Sequence, residues 1–343
     1  MSNLRALLKQ LVEEGGALTE EQGAAAVREM LEGEASDIEI AALLTGISAR
    51  GASVEELTGF VRAMRELCRP IPLADEERAQ LVDTCGTGGD DRGTFNISTG
   101  AALVAAAAGA KVAKHGNRGV TSKCGSADVL EAMGIAVELE PEAAARCLRQ
   151  TGFMFLYAPL LHPAMKRVQP VRKALGFRSI FNLAGPLTNP AGARAQLMGV
   201  FAAARVSIIS EAMVRLGMRH AMVVRGADGV DELTLHGVSE VAEVRDHHVR
   251  LFQLDAAAAG LAPAPLSAIA GGDARASASI LEAVLKGERG AHRDVVLLNA
   301  AAALIVAGLA ADFPAGVRLA AEAVESGAGS HLLARLREFK QAG

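Results

Sequence analysis

The chain has 343 residues, half of them hydrophobic, and its 35 lysines and arginines against 39 aspartates and glutamates leave a net charge of −4. That length suits one large domain plus a small one, and the near balance of charge gives no push toward nucleic acid or an anionic membrane as partner. Four widely spaced cysteines (Cys68, Cys85, Cys124, Cys147) with no CxxC pair exclude a disulfide framework and a zinc site.

The first five residues, Met1-Ser2-Asn3-Leu4-Arg5, lead into an amphipathic pattern and not a signal peptide. The longest apolar stretches, 101–110 and 297–311, are alanine-rich or too short to span a bilayer. The expectation is a soluble cytoplasmic protein. With no Trp, one Tyr and ten Phe, the core must be built from Ala, Leu and Val, which suits close packing of helices on a sheet.

Residues 1–67 read as helices only. Leu4, Leu7, Leu8, Leu11 and Val12 follow one helix face. Three capping boxes mark three more helix starts: Thr19 with Gln22, Ser36 with Glu39, and Ser53 with Glu56. Helices this short bury little surface, so the bundle must pack on the main domain or on a second copy of itself. Arg69-Pro70-Ile71-Pro72 ends it and stiffens a linker.

From Leu81 the pattern changes. Strands are predicted at 81–84, 111–114, 135–139 and 153–157, with helices at 99–108, 127–133 and 141–150 between them. Such β/α alternation means a largely parallel sheet flanked by helices. Residues 159–195 interrupt the rhythm with five prolines (Pro159, Pro163, Pro170, Pro186, Pro190) among His162, Lys166, Arg167, Arg172, Lys173 and Arg178. A basic, proline-rich insert of this kind crosses between domains or lines a pocket. Alternation resumes with strands at 197–201 and 221–224 around a helix at 204–217. Short strands follow at 233–235, 241–244 and 249–254, with a surface turn at His247-His248. Helices are expected at 275–286, 294–308, 315–326 and 330–341.

Polar residues concentrate after the predicted strands. Gly86-Thr87-Gly88-Gly89-Asp90 follows the first strand and precedes a helix that opens on Asn96, Ser98 and Thr99. Glycines let the backbone turn its N–H groups onto phosphate oxygens, and a helix start favours an anion. The spacing is neither GxGxxG nor Walker A. Asp90 can hold a ribose hydroxyl or a metal-bound water. Lys114-His115-Gly116-Asn117-Arg118 follows the second strand and so should lie beside the glycine loop, where its cations meet phosphate charge. Thr121, Ser122 and Ser126 add hydroxyls. Asp231-Glu232, after another strand, suits a Mg²⁺ that bridges phosphates. Arg172, in a proline-bounded segment, can clamp a carboxylate or stand as a plain surface cation. The cysteines read as packing residues without an activating base.

Taken in order, 83–90, 96–99, 114–118, 125–128, 182–190 (Asn-Leu-Ala-Gly-Pro-Leu-Thr-Asn-Pro) and 231–232 resemble the anthranilate phosphoribosyltransferase family over essentially the whole chain. The resemblance implies a small N-terminal helical domain (1–70, joined by part of 160–180) and a large α/β domain (76–341). That larger domain has a mostly parallel central sheet flanked by helices, as in nucleoside phosphorylases. It implies transfer of a phosphoribosyl group from phosphoribosyl pyrophosphate to anthranilate with Mg²⁺ as cofactor, in a homodimer formed through the helical domain. The implied donor contacts are Gly86, Gly89, Asp90, Thr94, Asn96, Ile97, Ser98, Thr99, Lys114, His115, Gly116, Asn117, Arg118, Gly119, Val120, Thr121, Ser122 and Ser126. The implied anthranilate contacts are Gly86, Asn117, His162 and Arg172; Ser98, Asp231 and Glu232 would serve magnesium. No catalytic base is implied, because an aryl amine is already a neutral nucleophile. Departures from the family pattern are Thr121 and Cys124 in place of serines, Phe177-Arg178-Ser179 as a variant segment, and no Glu-Asn pair in 274–277. The rival readings are a pyrimidine nucleoside phosphorylase-like enzyme, disfavoured by the intact Gly116-Asn117-Arg118, and a nucleic-acid-binding relative, disfavoured by the charge.

Overall fold

The computed structural model describes residues 3–33, 35–88, 92–119 and 124–340. Four helices open it: α1 (Asn3–Glu13), α2 (Glu20–Leu31), α3 (Asp37–Arg50) and α4 (Val54–Glu66). All three predicted capping boxes form, with Thr19, Ser36 and Ser53 accepting the N–H of the residue three positions on. Glu56 does more than close its own box. Fully buried, its carboxylate accepts the Ser53 N–H at 2.8 Å and the Leu18 N–H at 2.9 Å, and it pairs with Arg50. One side chain thus ties the start of α4 to the entry of α2.

After α5 (Asp75–Ala79) come β1 (Leu81–Gly86), α6 (Ile97–Ala107), β2 (Lys111–Gly116), α7 (Ser126–Ala132), α8 (Pro141–Thr151) and β3 (Phe153–Tyr157). The proline-rich insert folds as α9 (Ala158–Leu161), α10 (Gln169–Leu175) and α11 (Ile180–Ala184) with short 3-10 turns between them. Then follow β4 (Ala195–Gly199), α12 (Ala204–Arg215), β5 (His220–Arg225), β6 (Val238–Arg245) and β7 (His248–Asp255). Four helices end the chain: α13 (Ala274–Leu285), α14 (Ala291–Ala307), α15 (Phe313–Glu325) and α16 (Ala328–Glu338).

The strands form one sheet in the order β3-β2-β1-β4-β5-β6-β7. The first five run parallel, and the β6–β7 hairpin adds an antiparallel edge. Its turn places Asp246 and His247 at positive φ, as a tight hairpin requires. The chain moves outward in both directions from β1 and β4, so the order reverses between them. A crevice opens at such a switch point, at the carboxyl ends of the strands. Those ends are Gly86 and Gly199.

The helical bundle is not left open. Leu57, Phe60, Val61 and Met64 share one hydrophobic cluster with Phe181 on α11, Ile209 and Met213 on α12, and Met198 and Val223 of the sheet. Phe60 meets Phe181 edge-on at 5.5 Å. Of the two partners expected for the bundle, the structure shows the main domain.

Two predicted strands are absent. Residues 135–139 do alternate, with Ile135, Val137 and Leu139 buried, but β3 already fills the edge of β2, so this segment packs without a ladder. Residues 233–235 bond to side chains instead of a neighbouring strand. Asn299, buried in α14, accepts the Leu233 N–H at 3.0 Å and donates to the Leu233 carbonyl at 2.8 Å, while Ser239 Oγ accepts the Thr234 N–H at 3.2 Å.

Candidate active site

Two carboxylates from the segment after β5 meet the glycine loop and the start of α6. Asp231 Oδ2 accepts the Gly88 N–H at 3.1 Å, and Glu232 Oε1 accepts the Ser98 N–H at 3.1 Å, in the first turn of α6. Backbone crowding sets this approach. A Cβ at Gly199 would overlap the Asp231 carbonyl, and one at Gly86 would stand 2.9 Å from Asp231 Oδ2. The Thr87 N–H donates to the Gly199 carbonyl at 3.0 Å, which closes the crevice between β1 and β4. Around it Thr87 Oγ1, Asn96 Oδ1 and Thr99 Oγ1 are buried with no hydrogen-bond partner. Burying such groups unpaired costs roughly 1–3 kcal/mol each, and a polar ligand would relieve that cost.

Lys114 stands behind this cradle. Its side chain is buried, and Nζ donates to the Thr84 carbonyl at 2.5 Å and to Ser98 Oγ at 3.3 Å. Burial pulls its pKa down, and the nearby Asp83 charge pulls it back up. Asp83 is itself pushed up to about 6 by burial, against the Asn189 hydrogen bond and the Lys114 charge. It accepts the His115 N–H at 3.1 Å and an Asn189 Nδ2–H at 2.9 Å, which locks the β2 loop to the segment that follows α11.

The loop after β2 is held mainly by Asp128. Its Oδ2 accepts the N–H groups of Gly119 and Gly125, both at 2.8 Å. Ser126 Oγ donates to the Asn117 carbonyl at 3.3 Å, and Asn117 Oδ1 accepts the Arg118 N–H at 2.8 Å. Arg118 does not present a free cation to the glycine loop. It pairs with Glu131 and, at 3.2 Å, with Glu138, and lies over the Tyr157 ring at 5.5 Å.

The proline-rich insert supplies a different surface. His162 comes beside His115, ring centroids 5.1 Å apart, and Nε2 of each is buried without a partner. Burial holds both imidazoles neutral: His162 is lowered to about 4, and His115 lies well below the usual range, with the His162 charge a second cause. Arg172 on α10 stacks on Phe181 at 5.3 Å, and burial lowers its pKa. No carboxylate among the described residues pairs with it, so a half-buried guanidinium is left for an anionic ligand. Cys85 is no nucleophile, since burial raises its pKa well above the ordinary value.

Comparison with known proteins bears on this arrangement. Residues 78–330 match the glycosyl transferase family α/β domain, and residues 5–68 match the helical bundle domain of the glycosyl transferase family. An anthranilate phosphoribosyltransferase of Symbiobacterium thermophilum is 50% identical over 336 residues, 98% of this chain and 97% of that protein. The chain belongs to the anthranilate phosphoribosyltransferase family. A family member from Pelotomaculum thermopropionicum is 48% identical over 95% of this chain and 93% of its own length. The crystal structure of the Thermus thermophilus family member superposes with a TM-score of 0.90 at 42% identity, covering 99% of both chains. That of the Saccharomyces cerevisiae member, in complex with PRPP and Mg, does so with a TM-score of 0.88 at 25% identity, over 97% of this chain and 96% of that one.

The residues expected to act as in this family are placed unevenly. Gly86, Asn96, Ser98, Thr99, Lys114, Asp231 and Glu232 gather about the switch point, His162 of the insert lies beside His115, and Arg172 stacks on Phe181 within the insert. Gly116 and Gly119 shape the second loop; a Cβ at Gly116 would overlap Ser126 Oγ. Ile97 buries its side chain in the core and offers only backbone. Thr94 bridges to Ala270 across a short antiparallel contact. Gly89, Asp90, Val120, Thr121 and Ser122 lie outside the described residues. Thr87 was read only as part of the glycine loop; the structure buries its hydroxyl without a hydrogen-bond partner.

Among the described residues no three His, Cys, Asp or Glu side chains converge as a metal cage. Two carboxylates and the Ser98 hydroxyl are a hard, incomplete donor set. That fits a hard divalent ion such as magnesium, which Asp231, Glu232 and Ser98 would hold together with a bound phosphate.

Proposed function

We propose that the chain transfers the phosphoribosyl group of phosphoribosyl pyrophosphate to the amine of anthranilate, giving N-(5-phosphoribosyl)anthranilate and pyrophosphate, a step of L-tryptophan biosynthesis. The observation that carries this reading is the meeting of Asp231 and Glu232 with the Gly88 and Ser98 N–H groups, each 3.1 Å away, at the switch point of the sheet. Full-length relatives named for this activity support it, as does the yeast relative's complex with PRPP and Mg.

The residues have work suited to that reaction. As pyrophosphate leaves the anomeric carbon, negative charge grows on its oxygens. The start of α6 faces that charge with Lys114 behind it, and the Gly88 and Ser98 N–H groups, which Asp231 and Glu232 accept in this structure, would turn to it once those carboxylates hold magnesium. Magnesium, held by Asp231, Glu232 and Ser98, would supply electrostatic neutralisation of the leaving group. Arg172 takes the anthranilate carboxylate and turns the amine toward the ribose. His162 and His115, neutral at working pH, and Asn117 line the acceptor side. The amine needs no strong base, so positioning carries much of the rate. Gly89, Asp90, Thr94, Ile97, Val120, Thr121 and Ser122 belong to the donor half in this proposal.

The proposed division places 1–70, with part of 160–180, in the helical domain and 76–341 in the α/β domain. We also assign a homodimer formed through the helical bundle and action in the cytoplasm. Val12 and Ile38, exposed at 70% and 81% on that bundle, support the dimer. Incubation with anthranilate, phosphoribosyl pyrophosphate and Mg²⁺ tests the activity: phosphoribosylanthranilate should form, and no turnover by the intact protein would overturn the assignment.

A further inference from the structure

Beyond the carboxylates, the carboxyl end of β4 carries a group of arginines that the reaction as described does not use. Phe201 lies two residues past Gly199. Arg178 and Arg205 both stack on its ring, with guanidinium carbons 4.6 and 4.4 Å from the centroid. Arg225, at the end of β5, donates from Nε to the Phe201 carbonyl at 3.2 Å and pairs with Glu240 at 3.3 Å. A Cβ at Gly229 would stand 3.7 Å from Arg92 Nη2 and 4.0 Å from Arg225 Nη2.

Like charges drawn onto one ring repel, and stacking on an aromatic face offsets only about 0.5–2 kcal/mol per cation. Arg205 is half-buried on that ring. It makes no ion pair with any described residue, and its Nη1 is buried without a hydrogen-bond partner. Burial and the neighbouring Arg178 charge hold its pKa below the usual arginine value. Arg205 also stands in the first turn of α12, where the helix end favours negative charge. An anion seated there would satisfy the orphan N–H, screen Arg178 from Arg205 and meet the helix end.

The location narrows the anion. The Asp231 backbone packs directly on Gly199, and the Phe201 carbonyl lies 3.2 Å from the position a Gly229 Cβ would take, two residues before Asp231. The backbone that carries Phe201 therefore borders the segment with the carboxylate pair that takes magnesium in the proposed reaction, and magnesium travels with the diphosphate. We propose that Arg205, stacked with Arg178 on Phe201, forms an anion subsite at the rim of the crevice that receives the diphosphate of the donor and holds it as it leaves. This rests on the phosphoribosyl-transfer reading and adds to it a residue that acts on the leaving group.

The test uses the full-length protein and two probes, inorganic pyrophosphate and ribose 5-phosphate, each titrated calorimetrically with Mg²⁺ present. Losing one charged hydrogen-bond donor at a half-buried site should weaken binding by about tenfold. Arg205→Gln should therefore weaken pyrophosphate binding about tenfold and leave ribose 5-phosphate binding unchanged, while Arg205→Lys recovers part of the loss. In turnover the same variant should raise the KM for the donor and relieve product inhibition by pyrophosphate, with the KM for anthranilate unmoved. Unchanged pyrophosphate affinity in folded Arg205→Gln would overturn the subsite. So would a loss confined to ribose 5-phosphate, which would mean that the cluster holds the other phosphate. Because the binding arm needs no turnover, it stands apart from a failure of the activity itself.

Discussion

The two halves of the crevice are built on opposite plans. The proposed donor half rests on backbone: Asp231 and Glu232 hold the Gly88 and Ser98 N–H groups at one edge of the sheet, and Asp128 holds those of Gly119 and Gly125 in the loop after β2. The proposed acceptor half rests on side chains, with Nε2 of the His115 and His162 imidazoles and the Arg172 guanidinium left without a hydrogen-bond partner among the described residues. A backbone cradle suits a diphosphate, whose oxygens accept from any N–H group. A flat aromatic acid needs directional side chains, and in the proposed reaction Arg172 gives the bidentate fork that a carboxylate matches.

The sharpest way to break this contrast is at the carboxylates. Asp231→Asn should lower kcat/KM for the donor by about 10³-fold, since charge stabilisation of the leaving group rests there, with anthranilate binding changed little. A drop of less than tenfold in steady-state assays would show that the donor half does not depend on this pair.

A second prediction concerns pH and falls on the acceptor half. The His162 pKa is lowered to about 4, so the imidazole is neutral in the folded state where the unfolded chain already takes up a proton. Its contribution to stability is complete above about 6.5 and is lost as pH falls from there toward 4, by roughly 3 kcal/mol in all. His115 adds the same sign. Asp83, raised to about 6, has the opposite sign: its folded form keeps a proton that the unfolded chain gives up, so stability falls as pH rises toward 6. The difference between wild type and His162→Gln in urea unfolding isolates the first effect. The variant should lose less stability than wild type between pH 6.5 and 4; equal losses would mean that His162 titrates normally.

The third and smallest expected effect sharpens the acceptor side. Arg172→Ala should raise the KM for anthranilate by about 30-fold, the value of one charge-assisted contact, and that for the donor by less than about threefold. An equal rise in both would show that Arg172 serves the donor or the fold.

Much of the architecture was legible in the chain. The three capping boxes were readable because a hydroxyl and an acid three residues apart satisfy each other locally, with no help from the rest of the fold. The glycine loop was readable as the link between a strand and a helix, and β1 and α6 do flank it. Residues 135–139 and 233–235 misled because alternation reports which side chains are buried, and says nothing of what the N–H groups bond to. There β3 and Asn299 decided the matter. The pairing of Arg118 was hidden in another way: its charge was visible, but Glu131 and Glu138, which pair with it, are reached only through the fold.

By itself the sequence determined the chemistry available: glycines, hydroxyls, two acids and cations in an order that matches one family along its length. Only the tertiary structure decided which of them meet. Gly88 and Asp231 are 143 residues apart and Ser98 and Glu232 are 134 apart, and no local period encodes such pairs. They meet because a parallel sheet gathers its strand ends on one edge and reverses its order between β1 and β4. The same geometry set Arg205 beside Phe201 at that edge, on residues that looked unremarkable in the chain.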